Sequence, residues 1–169
     1  MSNSKSTCRL LIVFLYTGIN LNCTSQQANE NTEKEHIVLI SKITIPKVNG
    51  RIDHIGYDPA NHLAFVAALG NNTVEVIDID AQKVVHSIAG LHEPQGILFI
   101  PFSNMLVVAN GNGNCVFFDA GSFKETGSVD LRSDADNVRY DTASHLLYVG
   151  CGSGNIEIID AKNSDQYYS

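Results

Sequence analysis

Three aspartates, Asp78, Asp119 and Asp160, stand 41 residues apart, each closing an apolar run. A fixed period near 40 residues marks an array of supersecondary units, none of which can bury its apolar face alone. Three segments align around these aspartates. In the first, Asp53-His54-Ile55-Gly56-Tyr57-Asp58 leads to Leu63-Ala64-Phe65-Val66-Ala67 and then to Val74-Glu75-Val76-Ile77-Asp78. In the second, Gln95-Gly96-Ile97-Leu98-Phe99-Ile100 leads to Met105-Leu106-Val107-Val108-Ala109 and then to Cys115-Val116-Phe117-Phe118-Asp119. In the third, Asp136-Asn137-Val138-Arg139-Tyr140-Asp141 leads to Leu146-Leu147-Tyr148-Val149-Gly150 and then to Ile156-Glu157-Ile158-Ile159-Asp160.

The runs are short, rich in Val, Ile, Phe and Tyr, and partly alternating, which predicts strands. Glu75 and Glu157, each between apolar neighbours, are expected on a solvent face. Gly70-Asn71-Asn72, Gly111-Asn112-Gly113-Asn114 and Gly152-Ser153-Gly154-Asn155 supply the positive φ that tight hairpins need. A dinucleotide loop would have to open a helix. These lead into strands, so they are turns. A further strand follows each closing Asp, over residues 83–88 and 125–131. No segment carries a helical period. The expectation is all-β: a partial β-propeller of about three four-stranded antiparallel blades with a 41–42-residue repeat. The blades span about 53–92, 93–133 and 134–163. Residues 38–45 add one lone N-terminal strand, placed to clasp a last blade. The third blade is expected to lack its fourth strand, because 164–169 is only a short tail. A closed propeller takes ~4–8 blades. Three therefore imply either two copies closing a ring or part of a longer propeller.

These residues also resemble a known family. A Tyr-Asp-Pro-like turn, then Leu-x-x-Val-Ala-Asn, then x-Val-x-Val-Ile-Asp is similar to the YVTN-type repeat of bacterial secreted propellers, the YncE-like group. Val107-Val108-Ala109-Asn110 and Leu147-Tyr148-Val149-Gly150 are this chain's versions of the tetrapeptide. The resemblance covers about 36–163. It implies a propeller outside the cytoplasm, in the periplasm or cell envelope, and implies little about activity.

The first 35 residues read as an address. Lys5 and Arg9 precede the apolar stretch 10–19, as in a secretory signal over residues 1–22. At ten residues the stretch is too short to span a bilayer, which needs ~20. Residues 23–35 are polar and read as a flexible tether. Cys23 ends the apolar region, and here the segment resembles a bacterial lipoprotein signal, with Asn20-Leu21-Asn22 departing from the usual residues before the lipidated Cys. That resemblance implies lipidation of Cys23 and an outer-membrane anchor, with secretion as the alternative.

Charge and cysteines narrow the function. The net charge is −7, and three residues of each sign precede residue 36, so the excess belongs wholly to the blades. A basic nucleic-acid surface is excluded. Cys8, Cys23, Cys115 and Cys151 make no CxxC pair, which leaves a zinc ribbon, thioredoxin motif or c-type haem without support. Cys115 and Cys151 are expected as free buried thiols, with a disulfide as the alternative in an oxidising compartment.

The candidate site lies just before each first strand, where propeller blades ring the channel mouth. The equivalent residues are Asp53 and His54, Gln95 and Gly96, and Asp136 and Asn137, with Asp134 two residues upstream. Asp and Asn there cap turns in the plain reading. Asp53, His54, Gln95, Asp136 and Asn137 are the binding candidates. Asp136 and Asn137 suit Ca²⁺ or another hard divalent ion. The leading expectation is a non-catalytic binding or scaffold protein without cofactor, whose partner is a protein or small molecule. One alternative resembles gluconolactonases: a divalent-metal lactonase-like hydrolase at the channel, with His54 as a proton shuttle. The other is an accessory subunit of a periplasmic redox enzyme.

Overall fold

Alternation at period 2 sends successive side chains to opposite faces of a strand, and most strands here are apolar at both. Both faces of the sheets are therefore built to be covered. The computed structural model describes residues 37–162. The signal, Cys23, the tether and the tail 164–169 lie outside the described residues. The chain divides into two compact units, Met1–Val38 and Leu39–Ser169, and the fold described below belongs to the second.

Blade 1 is β1 (Ile55–Asp58), β2 (Leu63–Ala68), β3 (Thr73–Asp78) and β4 (Lys83–Ile88), paired in chain order. Blade 2 is β5 (Pro94–Ile100), β6 (Met105–Asn110), β7 (Asn114–Asp119) and β8 (Glu125–Asp130), paired likewise. The third sheet holds β9 (Ala135–Asp141), β10 (Leu146–Cys151) and β11 (Asn155–Asp160). All pairs are antiparallel. Among the described residues β11 has no fourth strand beside it. The unit is a partial β-propeller of three blades, as the repeat requires.

The blades stack through one interface used twice. Blade 1 offers Phe65, Ala67, Val74 and Val76 to Ile97, Leu106, Val108 and Phe118 of blade 2. Blade 2 offers Val107, Ala109, Cys115 and Phe117 to Val138, Leu147, Val149 and Ile159 of the third. Aligned by the repeat, these are the same positions. Fully burying one such side chain contributes ~1.5–3 kcal/mol.

The turns repeat as well. Asp78 accepts from the Ala81 amide at 2.8 Å, Asp119 from Ser122 at 2.7 Å and Asp160 from Lys162 at 2.9 Å. The recurring aspartate is thus a turn-former. His62, Asn104 and His145 share one turn position at φ 53°, 51° and 62°. A donor-bearing or short polar residue is tolerated in that left-handed region. Asn72, Gly113 and Gly154 fill the next such position, at φ 59°, 88° and 82°.

Two expectations need correction. Residues 38–45 form no strand: with no neighbouring strand in reach, the segment has no ladder to join. Ile43 and Ile45 nevertheless turn inward, onto Ala64, Val66 and Ile77 of blade 1. Glu75 is also not on a solvent face. It is buried, with its Oε1 accepting from the Thr73 hydroxyl at 2.7 Å and the Ser87 hydroxyl at 2.9 Å. Among the described residues no helix is long and apolar enough to cross a membrane.

Candidate functional site at the first-strand rim

β1, β5 and β9 lie side by side, and small residues let them. The amide of His54 donates to the carbonyl of Gln95 at 3.3 Å, tying blade 1 to blade 2. One blade further on, Gly96 lies directly against the Asp136 carbonyl, where any Cβ would collide. His54 is also fixed from within its own blade, since its carbonyl accepts from Ala67 at 3.0 Å and the Asp53 amide donates back to Ala67 at 2.9 Å.

This framework brings Asp53, His54 and Asp136 together. One ligand-capable atom from each falls within 4.8 Å of the others. His54 Nδ1 stands 3.1 Å from Asp53 Oδ1 and 3.8 Å from Asp136 Oδ1. Neither contact is aligned as a hydrogen bond, so Nδ1 is buried without a hydrogen-bond partner although the ring as a whole is half-buried. Buried polar atoms in native proteins are nearly always satisfied, so this nitrogen marks a place where a polar group belongs.

The other candidates are engaged. Gln95 donates from Nε2 to Asp134 Oδ1 at 2.7 Å, a bond between blades. Asn137 gives its amide oxygen to the Arg139 guanidinium. Asp53 also pairs through Oδ2 with Arg51. The proposed metal pair Asp136 and Asn137 is thus divided in its contacts, with Asp136 facing His54 and Asn137 holding Arg139. A cavity of about 250 Å³ beside them is lined by Asp134, Asp136, Asn137, Gly150 and Cys151, among others. That is below the usual ~300–1,000 Å³ of a drug-sized site. A second cavity of about 350 Å³ has His92, Glu93, Asn72 and Asn112 in its wall.

Arg51 and Arg139 were missed in the sequence. Each sits two residues from a rim candidate, and the period of 2 that places them on the same strand face was the signal that could have found them.

Cys115 and Cys151 are free. Burial, and then the neighbouring Cys151, push the Cys115 thiol up to about 12. Burial likewise raises Cys151. Neither has the electropositive, exposed setting of a reactive thiol.

No family model matches the chain. The fold does have solved counterparts. The chain is similar to Kuenenia stuttgartiensis hydrazine synthase, at 19% identity and a TM-score of 0.63, over 75% of this chain and 37% of that one. The likeness is one of fold alone. In all, 826 solved chains share it, and an architecture so widely used carries no activity by itself.

Proposed function

We propose that this chain is a non-catalytic, extracytoplasmic propeller of the YVTN type that binds a polar, positively charged ligand at its first-strand rim. Asp53, His54 and Asp136 make the contact, and Gln95 and Asn137 flank it. The observation that carries the reading is the buried, unpaired His54 Nδ1 between two carboxylates drawn from different blades. Two carboxylates and an imidazole nitrogen form an acceptor-rich spot suited to a hard divalent cation or an ammonium group.

The family assignment is supported by the Val107-Val108-Ala109-Asn110 and Leu147-Tyr148-Val149-Gly150 tetrapeptides and the in-phase repeat. Export is supported by Lys5 and Arg9 ahead of the apolar stretch 10–19, and a lipid anchor by Cys23 at its end. Acyl chains add ~0.8 kcal/mol per buried CH₂, and a polar tether lets the blades stand away from the membrane.

Calorimetric titration with Ca²⁺ and with Mn²⁺ tests the rim. Saturable heat at one site, abolished in Asp136→Asn with the fold intact, is the expected result. Absence of a saturable event with either ion overturns the reading. Cys23→Ala tests the anchor separately: release from the membrane fraction is expected, and retention refutes lipidation.

A further inference from the structure

Residues that are buried between blades are bare at the third blade's outer face. Val74, Cys115 and Ile156 occupy one repeat position, and Val76, Phe117 and Ile158 another. The first two of each set are 0% exposed, whereas Ile156 is 69% and Ile158 60% exposed. At the other end, Ile97 and Val138 are buried in the two interfaces at 7% and 2%, but their counterpart Ile55 is 62% exposed. The two ends are therefore the two halves of the interface that already joins blade 1 to 2 and blade 2 to 3.

The ends also differ by one strand. β11 has no outer neighbour among the described residues. At the opposite end, the extended segment before blade 1 has no ladder but lies where an outer strand would. Ile88 and Val129, on β4 and β8, come nine residues before Ile97 and Val138, and Ile45 comes ten before Ile55. Ile88 covers blade 2's entering face, and Ile45 covers blade 1's. Ile43 and Ile45 thus occupy the place of a preceding blade's fourth strand.

The geometry points to a second copy of this chain as the occupant. The outer face of the third blade receives β1 of the second copy, and that copy's segment around Ile43 and Ile45 adds to β11 as its missing fourth strand. Edge addition of this kind joins main chains through a ladder and sets specificity through alternate side chains. The register follows from the blades present. Val74 pairs with Ile88 and Val76 with His86, and Cys115 pairs with Val129 and Phe117 with Gly127. Across the copies Ile156 then faces Ile45, Glu157 faces Thr44 and Ile158 faces Ile43. Head-to-tail contacts make a closed ring when the rotation permits, and two sets of three blades give six, within the ~4–8 of known propellers. At the rim, repetition of the His54–Gln95 bond sets the Asn137 amide against the Asp53 carbonyl of the second copy. The cavity beside Asp136 and Asn137 is then walled by both chains.

Light scattering of the purified full chain, with and without Ile156→Lys and Ile158→Lys together, tests this. Both isoleucines are exposed within one chain, so the variant keeps its fold, which circular dichroism checks. Twice the chain mass for the native protein and a single mass for the variant are expected. A native monomer, or a dimer indifferent to the substitutions, overturns the proposal. The register has its own test. Thr44→Cys combined with Glu157→Cys gives an intermolecular disulfide on oxidation that neither single variant nor the native chain gives. Absence of that band overturns the strand addition.

Discussion

Gly96 of blade 2 lies against the backbone carbonyl of Asp136 in the third sheet, closer than any side-chain carbon could come. The approach is what holds the rim candidates of neighbouring blades in one place. Overpacking at such a contact costs ~1–3 kcal/mol because backbone, not a flexible side chain, must move. Gly96→Ala is expected to destabilise the protein by that order in denaturant titration and to disturb the rim. Gly150→Ala is the control, since its nearest neighbours stand 3.8 Å and 3.9 Å from an added Cβ. Equal stability of the two variants contradicts the account.

Glu75 gives a second test. Its Oε1 serves two hydroxyls, Thr73 on its own strand and Ser87 on β4. Removing an acceptor leaves buried donors unsatisfied at ~1–3 kcal/mol. Glu75→Ala is expected to lose that much in thermal or urea unfolding, and Glu75→Gln, which keeps an acceptor oxygen, to lose less. A fully stable Glu75→Ala shows that the carboxylate does not organise this corner.

Cys115 predicts behaviour at high pH. Its folded thiol holds its proton to about 12, against an ordinary value of 9.0. The unfolded chain gives up that proton first. The contribution to stability is thus complete below 9.0 and declines as pH rises through about 12. Alkylation at pH 8 is expected to spare Cys115 in the native protein and label it after unfolding. Cys115→Val is expected to flatten the alkaline loss. Rapid native labelling contradicts the burial.

The turn aspartates predict behaviour at low pH. The Ser122 hydroxyl, followed by its amide, holds the Asp119 carboxyl below its ordinary 3.8. The Ser144 hydroxyl, followed by the Ala143 amide, does the same for Asp141. A depressed folded value gives stability that is present above 3.8 and lost as pH falls through the folded value. The gap between native protein and a Ser122→Ala, Ser144→Ala double variant is expected to be widest near neutral pH and to close in acid. A gap that widens in acid reverses the sign and refutes the assignment.

The architecture was legible because it is written redundantly. Asp78, Asp119 and Asp160 recur at one spacing, and the strands between them are apolar on both faces, so three copies of one pattern support each other. Residues 38–45 show the limit. Their alternation reads as a strand, but a strand exists only where a neighbour completes the ladder, and sequence does not say whether one is there. Glu75 fails for a related reason. Alternation next to valines suggests an outward carboxylate, while the hydroxyls of Thr73 and Ser87 that make burial tolerable come from register. The rim is intermediate. Repeat alignment brought Asp53, His54, Gln95, Asp136 and Asn137 to one end, yet the division of Asp136 to His54 and Asn137 to Arg139 depends on side-chain geometry.

The central claim is that the rim where β1, β5 and β9 meet is where this propeller binds. Mn²⁺ added to isotope-labelled protein, with amide relaxation measured by NMR, tests it most directly. Broadening confined to the amides of Asp53, His54, Gln95 and Asp136, and abolished by Asp136→Asn, is the predicted result. Broadening spread over the acidic surface, or unchanged in Asp136→Asn, contradicts it.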